Sequence, residues 1–340
     1  MQELDSRPIT EAILAAARRP RVPVTARGST VRVQVILEGD HLVEATPVPD
    51  PFVAGGALEG NRELHAALLR AGVDVITDPN PKIFHQKFVV RDAGTDTAAV
   101  LTGSANFTRT DTGTNPPHTN PAGQPGQAGN NLNHVLVLHG KAVTAQYLAE
   151  FERLRAGTFG DLHERVEARP REIRIGSVRV KPLFAPRHGP EMEIMKQMIK
   201  ARERVDFAMF TFAQSSGIDD TMARLVGDGL AIRGVLDRAQ GAQKWAATKP
   251  LAAAGVELHT NKAGTGVRKV HHKLMVIDDQ LIIAGSFNYT GPATTLNDEN
   301  IVVIGDLEEA DPQALADQRR LAGFVRGEID RTITDLARPI

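Results

Sequence analysis

An internal repeat constrains this chain more than any other feature, because a duplicated unit decides the fold before local propensity is consulted. The first copy reads LLRAGVDVITDP (68–79), FHQKFVVRD (84–92) and VLTGSANFT (100–108). The second reads LAAAGVELHTNK (251–262), VHHKLMVIDD (270–279) and IIAGSFNYT (282–290), in the same order. Duplication is the simplest origin, and a length of 340 residues accommodates two domains.

Within each copy, helix-period stretches alternate with short β-branched runs such as VRVQVIL (31–37), VDFAMFTF (205–212) and IVVIG (301–305). This pattern predicts an α/β fold with sheets flanked by helices. In the second half, a strand over 178–186, a helix over 191–205, the strand VDFAMFTF and a helix from Gly217 are expected before the repeat. Aligning SRPITEAI (6–13) with SSGIDDTM (215–222) sets Met1 level with Phe210, so the first half lacks a counterpart to that strand and helix. The charged stretch 157–177 reads as a linker, placing lobes at 1–165 and 166–340. The Gly-, Pro- and Asn-rich stretch 111–131 reads as a loop long enough for a lid, with disordered decoration the bland alternative.

Composition removes whole classes of function. Forty basic and forty-one acidic residues leave a net charge of −1, so affinity for a polyanion has to be local. The absence of cysteine excludes disulfides, thiolate metal sites and cysteine nucleophiles. No apolar run reaches the ~20 residues of a membrane span, and the acidic, Arg-interrupted start is unlike a secretory signal, so a cytoplasmic location is expected.

The repeated motif carries the chemistry. In extended chain, residues i and i+2 share a face, which pairs His85 with Lys87 and His271 with Lys273. Ser104 with Asn106, and Ser286 with Asn288, add hydrogen-bond donors. Brought together, these residues form a phosphate cradle: ammoniums neutralise phosphoryl oxygens, neutral donors satisfy developing charge, one imidazole attacks phosphorus and the other protonates the leaving alkoxide. No metal or other cofactor is required, and an unperturbed imidazole pKa near ~6.5 gives a bell-shaped pH profile. Asp92 and Asp278 fall at odd parity from the lysines, and His272 likewise faces away; structural roles are expected for all three.

HxKxxxxD followed by GSxN, twice in one chain, resembles the phospholipase D superfamily over most of residues 6–305. The resemblance implies a pseudo-twofold, bilobal α/β/α sandwich with a mixed sheet in each lobe and one active site between the lobes. It further implies metal-independent phosphodiester cleavage through a phosphohistidine, with His85 as nucleophile and His271 as general acid. In relatives an acidic residue after each GSxN orients a histidine; Glu299 matches it, but the first half carries Asn133, so the two histidines should be unequal. The first motif also holds four extra residues between Asp92 and Gly103, read as a longer hairpin.

The motif does not choose a substrate. The flanks GSANFT and GSFNYT are similar to nuclease and cardiolipin-hydrolase-like members, and Arg109, Lys262, Arg268 and Lys269 form a candidate basic rim, favouring nucleic acid. Few aromatics for base stacking weigh against it; the lack of a Lys-rich amphipathic helix weighs against phospholipid. A silent phosphate-binding scaffold is the remaining alternative. With both motifs in one chain, a monomer is expected. The basic stretch 17–27 reads as a helix end and loop, His118, His134, His139, His163, His188 and His259 as surface or core residues, and the tail 307–337 as a helix.

Overall fold

The computed structural model describes residues 1–20, 31–44, 46, 50–115, 129–162 and 168–340. The alternation of apolar periods resolves into an α/β fold. The first half runs α1 (Arg7–Ala17), β1 (Gln34–Glu38), α2 (Glu59–Arg70), β2 (Asp74–Asp78), β3 (Phe88–Arg91), β4 (Ala99–Gly103), β5 (Asn130–Leu132), β6 (Val135–His139) and α3 (Lys141–Arg155). The second continues with β7 (Ile173–Ile175), β8 (Val178–Ala185), α4 (Pro190–Ile199), β9 (Arg204–Met209), α5 (Ile218–Gly227), β10 (Ala231–Leu236), α6 (Arg238–Gly241), α7 (Thr248–Ala254), β11 (Glu257–Asn261) and β12 (Val267–Val270). It ends with β13 (Lys273–Ile277), β14 (Leu281–Gly285), α8 (Gly291–Thr295), β15 (Glu299–Ile304), α9 (Pro312–Arg331) and β16 (Ala337–Pro339).

The second half builds a nine-stranded mixed sheet in the order β16-β11-β10-β9-β13-β14-β15-β8-β7. Its central strands are continuous apolar runs because both faces are covered. On one face Phe207, Met275 and Ile283 pack with Ile194, Met198, Ile218 and Met222 of α4 and α5. On the other, Val276, Ile282 and Val302 join Ala322 and Ile329 of α9 and Val143 and Tyr147 of α3, so one core spans both halves.

The first half divides its strands between the antiparallel sheet β3-β4-β6 and the parallel pair β1-β2, rather than forming the single mixed sheet expected of a lobe. In the second half β9 bridges β10 and β13, and β8 flanks β15. No described strand takes either place in the first half. Consequently Val89, Val135 and Val137 are 43%, 51% and 55% exposed, whereas their repeat counterparts Met275, Ile301 and Val303 are 3% exposed or less.

Two expected helices are shorter than their sequence patterns. α4 stops at Ile199 because the Asp278 carboxylate accepts the backbone N–H groups of Arg202, Glu203 and Arg204, fixing a turn into β9. The tail helix occupies only 312–331; Asp311 caps it through the N–H of Ala314, and the chain beyond returns to the sheet edge as β16. The boundary near 165 lies outside the described residues, as do 116–128 of the candidate lid, 21–27 of the basic stretch, His118 and His163. Among the described residues, no helix is long and apolar enough to cross a membrane.

Candidate active site

Each motif histidine lies two or three positions before a strand of its own half and is anchored by backbone of the other half. The N–H of His85 donates to the carbonyl of Asp298 at 3.0 Å, and that of His271 to the carbonyl of Leu132 at 2.9 Å. Asp298 and Leu132 are the residues before Glu299 and Asn133, so the crossing is reciprocal. It is reinforced where β12 pairs with β5. The next residue then holds the ring: His85 Nδ1 lies 2.6 Å from Glu299 Oε2, and His271 Nδ1 lies 2.8 Å from Asn133 Oδ1. Occupying Nδ1 reserves Nε2 of each imidazole for chemistry.

Both motif serines are held by protein partners. Ser286 Oγ donates to Glu299 Oε2 at 2.6 Å and accepts the N–H of Asn300; Ser104 Oγ donates to Asn133 Oδ1 at 2.9 Å and accepts the N–H of His134. Each hydroxyl thus fixes the side chain that fixes a histidine. The tight approach depends on glycine. Gly103 and Gly285 both have φ 151°, and a Cβ there would lie 2.2 Å from the carbonyl oxygen of His134 or Asn300.

Lys87 and Lys273 are buried, and each ammonium donates to the carbonyl of its own histidine, at 2.9 and 3.0 Å. Burial pushes the Lys87 ammonium down to about 8, and Lys273 is held well below the usual lysine value by burial and then by repulsion from Lys87. Burial also lowers His85 and His271 well below the usual imidazole value, with both lysines adding to each shift. The Glu299 carboxyl is driven up to about 8 by burial, opposed by Lys87 and the Ser286 hydroxyl. Lys273 acts on His85, and Lys87 and His85 act on His271, so the two motifs share one electrostatic environment. A desolvated cluster of this kind lacks a negative charge that a phosphodiester would supply. The side-chain oxygens of Asn106 and Asn288 are buried without hydrogen-bond partners among the described residues.

The remaining motif positions are structural. Asp92 and Asp278 both adopt left-handed φ, 51° and 53°, at hairpin turns; Asp92 accepts from Thr97, and Asp278 holds the turn into β9. His272 is buried and stacks on His134 with ring centroids 5.6 Å apart. This histidine pair occupies the place that Gln86 and Asn300 hold in the other half, where Asn300 Nδ2 donates to Gln86 Oε1 at 2.7 Å. His188 is buried and accepts the N–H of Phe184, His259 is buried, and His139 is exposed. Of the basic rim, Lys269 stands beside the site, 5.1 Å above the Phe210 ring, whereas Arg109 is exposed and pairs with Asp5.

One site residue escaped the sequence reading. Asp111 is the first residue of the candidate lid; its carboxylate is buried, accepts the N–H of Asn106 at 2.6 Å and reaches within 3.8 Å of His271 Nδ1. A longer comparison of the repeats gives the signal, since Ala293 stands at the same point of the second copy.

Residues 1–155 and 194–314 match the family described as cardiolipin synthase, PLD-like domain. The chain belongs to this phospholipase D-like family. It is 32% identical over 136 residues to a phospholipase D of Rickettsia bellii, a match covering 39% of this chain and 64% of the relative. It is 30% identical over 106 residues to a mitochondrial cardiolipin hydrolase of Chlamydomonas reinhardtii, covering 31% and 46%. The chain therefore spans less than two thirds of the length of these curated relatives. Among solved structures, the phosphatidylserine synthase of Haemophilus influenzae superposes with a TM-score of 0.54 at 12% identity, over 91% of this chain and 74% of that one. This supports a shared fold.

Proposed function

We propose that the protein is a phosphodiester hydrolase working through a phosphohistidine. The observation that carries this reading is the crossed pair of bonds, Glu299 to His85 and Asn133 to His271, which commits both Nδ1 atoms. In the first step His85 Nε2 attacks phosphorus, the bond to the leaving oxygen breaks, and that oxygen takes a proton from His271 Nε2. In the second, water attacks phosphorus while His271 accepts its proton, and the N–P bond breaks with its electron pair returning to His85. Glu299 is placed on the histidine whose ring becomes a phosphoryl-imidazolium, where a carboxylate stabilises positive charge best. Lys87 and Lys273 balance the phosphoryl oxygens, and the Asn106 and Asn288 amides add uncharged contacts.

The substrate favoured is nucleic acid, supported by Lys269 at the site and Arg268 exposed on the same strand. The second reading, a glycerophospholipid, draws on the names of the curated relatives. The lobes are taken as 1–165 and 166–340, and the chain as a cytoplasmic monomer, since both motifs are already present in it.

Side-by-side assays on single-stranded DNA, RNA and phosphatidylcholine vesicles, with EDTA present, test the assignment. Cleavage of nucleic acid that weakens steeply between 50 and 200 mM salt is the expected result. Salt-insensitive release of headgroup from vesicles establishes the lipid reading, and inactivity toward all three substrates overturns the enzyme.

A further inference from the structure

The two halves differ in where they carry an acid. In the second repeat Glu299 follows GSFN and binds His85 directly, and the residue five beyond Asn288 is Ala293. In the first repeat the position of Glu299 holds Asn133, and the position of Ala293 holds Asp111. Each repeat therefore contributes one carboxylate to the histidine of the other, at different points of the chain. Asp111 has a side chain only 1% exposed, with Oδ2 3.8 Å from His271 Nδ1, against 2.6 Å for Glu299 and His85.

We infer that Asp111 is the anionic positioning residue of His271, a carboxylate that complements the amide of Asn133. The inference rests on the function proposed above. Asn133 orients the ring through Nδ1 but cannot balance the imidazolium that forms there. Asp111 supplies the missing charge from just outside hydrogen-bond range. Its other bonds hold it in place: Oδ2 accepts the N–H of Asn106 at 2.6 Å, and Oδ1 accepts from Asn131 Nδ2 at 2.5 Å. Asn131 lies in β5, the strand that leads into Asn133, so Asp111 and Asn133 are tied to the same segment. The same charge also raises the pKa of Lys87 and Lys273. Lys273, Lys87, His85 and Lys269 all disfavour protonation of His271, and a carboxylate 3.8 Å from its Nδ1 acts in the opposite sense.

The consequence is a pH effect that a mere loop staple would not produce. The test follows hydrolysis of bis(p-nitrophenyl) phosphate across pH, together with the NMR titration of the histidine-labelled protein, His271 being assigned by its loss in His271→Ala. Asp111→Asn keeps an oxygen for the Asn106 N–H. It is expected to move the alkaline limb of kcat/KM, and the His271 midpoint, down by about 1 pH unit. Adding Asn133→Asp to that variant is expected to bring both back up. A limb and midpoint unmoved in Asp111→Asn, or lowered there and not raised again by adding Asn133→Asp, overturns the assignment. Absence of hydrolysis by the wild type would defeat the proposed function instead, and the NMR midpoint would still decide the role of Asp111.

Discussion

Glu299 grips His85 from 214 positions away in the chain, with Oε2 2.6 Å from Nδ1, and the same oxygen accepts the hydroxyl of Ser286. Its counterpart Asn133 does the same for His271 with a neutral amide. The site is thus geometrically symmetric and electrostatically unequal.

That inequality predicts unequal mutational costs. Glu299→Gln keeps the shape but cannot ionise against a phosphoryl-imidazolium, so kcat is expected to fall about 100-fold. Asn133→Asp is expected to stay within about threefold of wild type. Steady-state kinetics on one phosphodiester substrate check both, and equal effects would remove the asymmetry.

The pH optimum should be displaced. Burial and the two lysines hold His85 and His271 well below the usual imidazole value, so the bell for kcat/KM, which reports the free enzyme, is expected to centre on the acid side of pH 6.5. A bound phosphodiester counters Lys87 and Lys273, so the profile of kcat should lie at higher pH. Initial rates from pH 4.5 to 9 test this; coincident profiles centred above 7 would contradict it.

His272 predicts an acid weakness of the fold. Burial lowers its pKa to about 4, so between pH 6.5 and 4 the unfolded chain binds a proton that the native state refuses, and stability falls as pH falls. From pH 7 to pH 5 the loss amounts to ~2 kcal/mol for this group. Replacing His134 and His272 by Asn and Gln, the pair used at the equivalent place in the other half, should flatten that slope. Urea midpoints at pH 5 and 7 measure it, and an unchanged slope would show that the stacked pair is not the cause.

Asp278 should matter to folding and not to chemistry. Its carboxylate accepts three backbone N–H groups at 2.7–2.9 Å, so Asp278→Ala is expected to cost ~2 kcal/mol of stability while kcat per folded molecule is unchanged. Gly285→Ala, by contrast, would press a Cβ against the carbonyl of Asn300 and is expected to cost more than ~4 kcal/mol. Thermal melts alongside rates separate the two.

The repeat made the α/β class, the motif histidines and lysines and the turn-holding role of Asp278 legible, because each depends on short-range spacing. What it could not show arises from long-range pairing. The bonds of Ser104 to Asn133 and of Ser286 to Glu299 join residues whose spacing differs between the repeats, so local pattern did not reveal them. Asp111 was hidden in a loop because its role depends on a histidine 160 positions away. The first-half sheet is split because, among the described residues, no strand bridges β1 and β3, and the local pattern of either is the same with or without such a bridge.

The most direct test is to trap the covalent intermediate. Acid-labile, base-stable label from a phosphoryl-labelled diester is expected on His85 in a rapid quench, to accumulate in His271→Ala with an activated leaving group, and to vanish in His85→Ala. Label that persists in His85→Ala, or that maps to any other residue, would contradict the shared two-histidine site.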